Sequence, residues 1–219
     1  MSESDRKSAA SFESIDAELE TTVSSCSDPT RRVLVLTALA TAACIATSGT
    51  GATEEDRPGS DLRPQKADLL VFSEGEQAGK VIAPEDLKLG GPPVHAWPKD
   101  PKTSVVRNGS RLNDVLVVKL DPAELDDETR ARAADGIVAY SAVCTHAGCP
   151  TTGWVTGAAG DKDVLKCFCH NSEYDPRQSA QVVFGPAPRR LAALPLTMGG
   201  GSLTVAAPFV GKVGAPQAG

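Results

Sequence analysis

From residue 67 onward the apolar positions fall in short runs, cut repeatedly by Gly, Pro, Asn and Asp. That pattern predicts strands joined by turns. Residues 68–73 open the series. Residues 114–120 form the most β-rich run and predict a buried strand. Residues 137–140 predict the next one. Residues 164–166 and 180–184 predict two more short strands, and 191–196 and 202–206 predict closing strands around Gly199, Gly200 and Gly201. One departure from the β pattern is predicted. Asp121 can cap, Pro122 suits a first turn and Glu124 can close the box, so a helix should run from there to about Ala134. Residues 82–87 read as a turn or helical corner. The expected fold is an antiparallel β domain carrying one short inserted helix.

Residues 33–53 break that pattern, being uncharged without interruption and weakly apolar, with Ala and Thr diluting Leu and Val. As a helix they would reach about 30 Å, enough to cross a bilayer. Arg31 and Arg32 precede the run; Glu54, Glu55 and Asp56 follow it. The basic end should stay cytoplasmic, which places the following domain outside the cytoplasm. Residues 30–34 also have the form of a twin-arginine export signal. The expected organisation is therefore a disordered tail over 1–29, a signal anchor over 30–53, a flexible tether over 54–66, the β domain over 67–210 and a tail over 211–219.

Charge and composition narrow the partners. The net charge of −6 argues against nucleic acid. Aromatics are only 4%, so the core must be built mainly from Val, Leu, Ile and Ala.

The chemistry is concentrated in two short stretches. Of three histidines and six cysteines, two histidines and four cysteines fall in Cys144-Thr145-His146-Ala147-Gly148-Cys149 and Cys167-Phe168-Cys169-His170. Each stretch offers a thiolate and an imidazole at ligand spacing, plus one further Cys. Two thiolates and two imidazoles can hold one tetrahedral zinc. They can equally hold a [2Fe–2S] cluster with the thiolates on one iron and the imidazoles on the other. The further pair, Cys149 and Cys169, favours the second reading. A zinc site needs no such pair, whereas two loops around an exposed cluster gain from a disulfide between them. A disulfide implies an oxidising compartment. His95 has no ligand-spaced neighbour and is expected to have a structural or surface role.

These two motifs, with Asn171-Ser172-Glu173-Tyr174-Asp175 after the second and Gly185-Pro186-Ala187-Pro188 further on, resemble the Rieske iron–sulfur proteins. The resemblance is specific over about 137–192. It implies the all-β Rieske fold, with a small cluster-binding subdomain near 140–190 and a preceding N-terminal transmembrane helix. It implies Cys144 and Cys167 on the inner iron, His146 and His170 on the outer iron, and a Cys149–Cys169 disulfide. Ser172 matches a hydroxyl bonded to a bridging sulfide, and Tyr174 a phenol bonded to a ligand thiolate. Three positions depart from the bc-complex members: Ala147 for a bulkier Leu, Phe168 for Pro and Asn171 for Gly.

The resemblance also implies a function. The expected role is the electron-transfer subunit of a quinol–cytochrome c oxidoreductase, single-pass in a bacterial plasma membrane with its domain periplasmic. It would work beside cytochrome b and a c-type cytochrome in a respiratory chain. His170 would receive a proton from quinol as the cluster receives an electron. A second expectation keeps the cluster and changes the complex. Residues 137–141 leading into Cys-Thr-His also look like the small subunit of arsenite oxidases, which works with a molybdopterin subunit. An anchored Rieske protein outside either complex is the third.

Overall fold

The structure is a computed structural model and describes residues 57–158, 160 and 162–215. Ten strands form two antiparallel sheets. The larger has the order β4–β3–β2–β1–β10–β9, built from β1 (Leu69–Phe72), β2 (Val94–Lys99), β3 (Val115–Lys119), β4 (Ile137–Ser141), β9 (Leu196–Gly199) and β10 (Ser202–Val205). The smaller, in the order β5–β6–β7–β8, comprises β5 (Gly153–Thr156), β6 (Asp163–Cys167), β7 (Ser172–Asp175) and β8 (Gln181–Phe184).

The continuous apolar run in β3 is explained by burial on both faces. Val115 and Val117 point to one side, with Ile137 and Ala139 of β4, and meet Leu70, Ile82, Leu194 and Leu203. Leu116 and Val118 point to the other, with Val138 and Tyr140, and meet Leu165, Tyr174, Leu191, Cys144 and Cys167. A strand with water on one face would alternate; this one cannot. Each such side chain contributes roughly 1.5–3 kcal/mol by leaving water. The second face matters most for function, because it joins the smaller sheet and the two site thiols to the main sheet.

Several expectations change. The helix expected over 121–134 is instead two short pieces. A 3-10 turn, Pro122–Glu124, ends at Leu125, which is extended; Asp126 then caps a separate helix, α1 (Asp127–Arg130). Asp121 does cap, accepting from the Ala123 N–H, but Glu124 closes no box. Its carboxylate takes the Arg177 Nε–H at 2.8 Å instead. The excursion is a brace. Thr129 Oγ1 accepts from the Ser179 N–H at 2.7 Å, and the Asp126 N–H reaches the Arg177 carbonyl at 3.1 Å. Both contacts hold the turn after β7.

Residues 57–66, expected to be a loose tether, pack on the domain. Ser60 and Pro64 are buried. Asn113 donates to the Leu62 carbonyl at 2.8 Å and Arg107 to the Gly59 carbonyl at 3.2 Å. Two polar side chains with buried donors need acceptors, and this segment supplies them.

β2 was not anticipated because it contains Pro98, which has no N–H to donate. The strand tolerates it because β3 pairs only with Val94, His95 and Ala96, so the proline lies beyond the end of that ladder. The closing strand expected at 191–196 is reduced to isolated bridges of Ala193 with Tyr140 and Val210; Pro195 interrupts it. Among the described residues no helix is long and apolar enough to cross a membrane. The expected anchor at 33–53 lies outside the described residues.

Candidate metal centre

β4 delivers the first motif and the β6–β7 hairpin the second. After β4 the chain closes a tight loop. The Cys144 N–H donates to the Cys149 carbonyl at 2.8 Å and the Gly148 N–H to the Cys144 carbonyl at 3.0 Å. The second loop links Cys167, the last residue of β6, to Ser172, the first of β7, which face each other in register. That hairpin needs a left-handed residue, and Asn171 provides it at φ +59°. Asn is among the few non-glycine residues that adopt this conformation readily. Asn171 therefore keeps the backbone geometry that a Gly would supply.

A third loop closes over the second. Gly185, at φ +90°, approaches so closely that a Cβ there would lie 2.6 Å from the Asn171 carbonyl oxygen and 2.7 Å from Ser172 Cα. Next along the loop, the Arg189 carbonyl accepts from Thr145 Oγ1, tying this loop to the first.

Within these three loops the motif residues sort by polarity. Cys144 and Cys167 are each 1% exposed and their thiols interact. His146 is half-buried and His170 exposed. Their rings meet edge to face with centroids 4.6 Å apart. Thiols inside and imidazoles outside is the arrangement an asymmetric cluster requires.

The Tyr174 hydroxyl holds the inner side together. It lies 3.1 Å from Cys144 Sγ and accepts from the Thr145 N–H at 3.3 Å. Burial pushes the phenol pKa well above its usual value, and the adjacent Cys144 pushes it further, so the hydroxyl keeps its proton. Burial likewise pushes the Cys167 thiol up to about 12, with Cys144 beside it adding to the push. A cation replacing the lost hydration would let the Cys167 thiol give up its proton.

Orphaned polar atoms test the fit of such a group. His146 Nδ1 and Ser172 Oγ are both buried without a hydrogen-bond partner in the protein. Buried polar atoms are rarely left so. A ring nitrogen ligating iron and a hydroxyl donating to a sulfide account for both. The residues present fit a Rieske-type [2Fe–2S] cluster.

A competing grouping exists. The sulfurs of Cys149, Cys167 and Cys169 lie within 4.8 Å of one another, a triangle that one ion could occupy. It leaves both imidazoles, Cys144 and the orphaned Ser172 hydroxyl unused, and its third member, Cys169, is exposed. The cluster reading accounts for more of the site. Cys149 and Cys169 stand as free thiols in the structure, in contact with each other.

Sequence reasoning missed Thr145, whose backbone and side chain both reach Tyr174, and Glu173. The latter is 2% exposed; burial would raise its pKa, but the Ala158 N–H and Lys166 together hold it below its usual value. Its bonds to Ala158 at 2.9 Å and Lys166 at 2.9 Å steady the hairpin that presents Cys167 and Ser172. A Lys and a Glu face each other across the β6–β7 hairpin in the structure, but no strand was expected at 172–175 to signal it.

Residues 80–195 match the Rieske [2Fe-2S] domain family, and the chain belongs to it. It is 32% identical over 143 residues to a cytochrome bc1 complex Rieske iron–sulfur subunit of Streptomyces lividans, covering 63% of this chain and 79% of that one. It is 29% identical over 149 residues to the corresponding subunit of Mycobacterium tuberculosis, covering 61% of this chain and 34% of that one. A Haloferax mediterranei protein, named for the Rieske subunit of a respiratory nitrate reductase, is 42% identical over 80 residues, or 36% of this chain and 34% of that protein. The chain thus spans about a third of the length of the mycobacterial relative it matches.

Proposed function

We propose that this chain is the membrane-anchored electron-transfer subunit of a quinol–cytochrome c oxidoreductase. Cys144 and Cys167 hold the inner iron and His146 and His170 the outer. The cluster, when bound, takes up and releases one electron at a time. His170 is the ligand that receives the quinol proton; it is the exposed one of the imidazole pair. Cytochrome b would present the quinol, and a c-type cytochrome would take the electron onward. Cys149 and Cys169 close a disulfide in the oxidising compartment. An anchor at 33–53 holds the domain on the periplasmic side of a bacterial plasma membrane.

The observation that carries this reading is the gradient from buried thiols to an exposed imidazole. It puts the electron's point of exchange at the protein surface, where a partner can dock, and a group able to accept a proton at the same place. Likeness to bc1-complex subunits over more than half of the chain supports the choice of complex.

The test is turnover of the purified membrane complex with a quinol while the cluster's EPR signal is followed. A quinol-site inhibitor should change the lineshape and stop reduction. If it leaves both unchanged, the quinol role of His170 is wrong. A second reading then moves ahead: the electron-transfer subunit of a periplasmic molybdenum oxidoreductase. The name of the Haloferax relative favours assembly with a different kind of oxidoreductase, and exposed Ala147 offers little apolar surface to a quinol. Copurification of a molybdopterin subunit would decide for it.

A further inference from the structure

A groove of about 730 Å³ lies where residues 63–64, the Arg189 loop and the C-terminal segment meet. Arg63, Arg189 and Lys212 line it together with Pro64, Phe209 and Val213. The chain is acidic overall, at −6. Among the described residues, none of the three is in an ion pair, and neither is Arg111.

The arginines are held by backbone, which orients them without neutralising them. Arg63 donates to the Leu112 carbonyl at 2.8 Å. Arg189 donates through one terminal nitrogen to the Gly214 carbonyl, and Arg111 to that of Gly148. The Arg189 Nε–H is buried and has no partner in the protein. A buried guanidinium donor without an acceptor calls for one. A guanidinium offers parallel N–H groups that suit a tetrahedral oxyanion, and Lys212 supplies a second positive charge. Phosphate alone would leave the half-buried Phe209 and Val213 facing water, so the shape asks for an anion with an apolar body.

We propose that this groove binds the phosphate group of an anionic amphiphile, with Arg189 and Lys212 as its principal contacts and Phe209 against its apolar part. A phospholipid headgroup is the source that suits the chain's layout, a choice that rests on the anchor reading above. A chain anchored in a bilayer has phospholipid as its most abundant anionic amphiphile, and the unpaired cations of the groove suit its phosphate.

The experiment is isothermal titration of the cluster-loaded full chain in non-ionic detergent. The probes are inorganic phosphate and dihexanoyl-phosphatidylglycerol, which is soluble without vesicles. The short-chain lipid should bind more tightly than phosphate. Arg189→Gln and Lys212→Gln should each weaken it at least about tenfold, the loss expected of a charge-assisted contact. Lys102→Gln, outside the groove, should bind as wild type. Lys212→Gln keeps the result decisive if Arg189→Gln folds poorly. Unchanged binding in Lys212→Gln and Arg63→Gln, or no heat with either probe, overturns the proposal. Binding of phosphate with none of the lipid overturns the amphiphile. Sedimentation of the full chain with natural membranes separately reports the anchor, so loss of one reading is not mistaken for loss of the other.

Discussion

The Tyr174 hydroxyl rests 3.1 Å from Cys144 Sγ, joining the first ligand loop to β7 across 30 residues of sequence. A hydroxyl donating to a ligand sulfur stabilises the state with more negative charge, here the reduced cluster. Tyr174→Phe keeps the ring, which is fully buried, and removes that donor together with the acceptor of the Thr145 N–H. If the bond strengthens by about 1 kcal/mol on reduction, its loss lowers the one-electron midpoint by roughly 40 mV. Ser172→Ala should act in the same direction. Potentiometric EPR titration checks both. Iron content should stay at the wild-type level; an apo protein would show that Tyr174 assembles the site rather than tunes it.

Cys149 and Cys169 touch but are not ligands in the proposed set. In protein exported to the periplasm they should be joined, and mass analysis without reductant should find the linked peptides. Cys149→Ser should lower the melting temperature and loosen both ligand loops, since a crosslink restricts the unfolded chain. Finding two free thiols in exported, cluster-loaded protein rejects the pairing and revives a role for the Cys149–Cys167–Cys169 triangle.

Arg107 and Asp68 form a buried two-bond ion pair, Nε to Oδ2 at 2.6 Å and Nη2 to Oδ1 at 3.0 Å. Asp68 also accepts from the Gln65 N–H, and Arg107 holds the Gly59 carbonyl. Removing one partner leaves the other charge buried, so Asp68→Asn or Arg107→Met should cost about 3–5 kcal/mol. The double change Asp68→Leu with Arg107→Met should cost less than either single one. Both singles should also speed amide exchange over residues 59–66. Slow exchange there in the singles would mean that the segment is held by something else.

His95 Nδ1 lies 3.1 Å from both Asp114 carboxylate oxygens. That hydrogen bond raises the imidazole pKa, against the opposing effect of burial, with Asp114 and Glu74 charges assisting. A raised folded-state value means that protonated His95 stabilises the fold. The contribution is complete below the unfolded value of about 6.5 and is lost as pH rises through the folded value. His95→Gln should therefore cost more at pH 5.5 than at pH 8, by about 1 kcal/mol or less for a pair partly open to solvent. Denaturant melts at the two pH values check this, and an equal loss at both removes the ion pair from the account.

The site was more legible than the scaffold that holds it. The convergence of Cys144 with Cys167 and of His146 with His170 was readable because ligand chemistry forces a short spacing, and two such spacings rarely coincide. β3 and β4 were readable because burial on both faces leaves long apolar runs. The packing of residues 57–66 was not, since its partners Arg107 and Asn113 lie some fifty residues away and nothing local marks them. The helix expected from Asp121 failed for a related reason. Local capping signals were right about the start, but Leu125 is needed in the core beside Leu116 and Tyr140, and Asp126 and Glu124 are drawn to Arg177. Tertiary contacts broke the helix into two turns. Asn171 shows the reverse: an apparent departure in sequence that preserves the backbone.

Gly185 gives the sharpest test of how the third loop supports the site. Its φ of +90° excludes ordinary side chains, and the atoms a Cβ would strike, Asn171 O and Ser172 Cα, belong to backbone that cannot swing aside. Gly185→Ala should therefore push the third loop off the second, at a cost of about 2 kcal/mol or more from strain and overpacking together. Ser172 should move with the displaced backbone, so the midpoint should fall or iron be lost. Gly200→Ala supplies the control. Gly200 also has a positive φ, +59°, but nothing lies within 4 Å of its Cβ position. That variant should lose only about 1 kcal/mol, from backbone strain, and keep the wild-type EPR lineshape. Melting temperatures, iron content and lineshape measured on the pair separate conformational strain from contact. Equal losses in the two variants would mean that the close approach of Gly185 to Ser172 does not matter to the cluster.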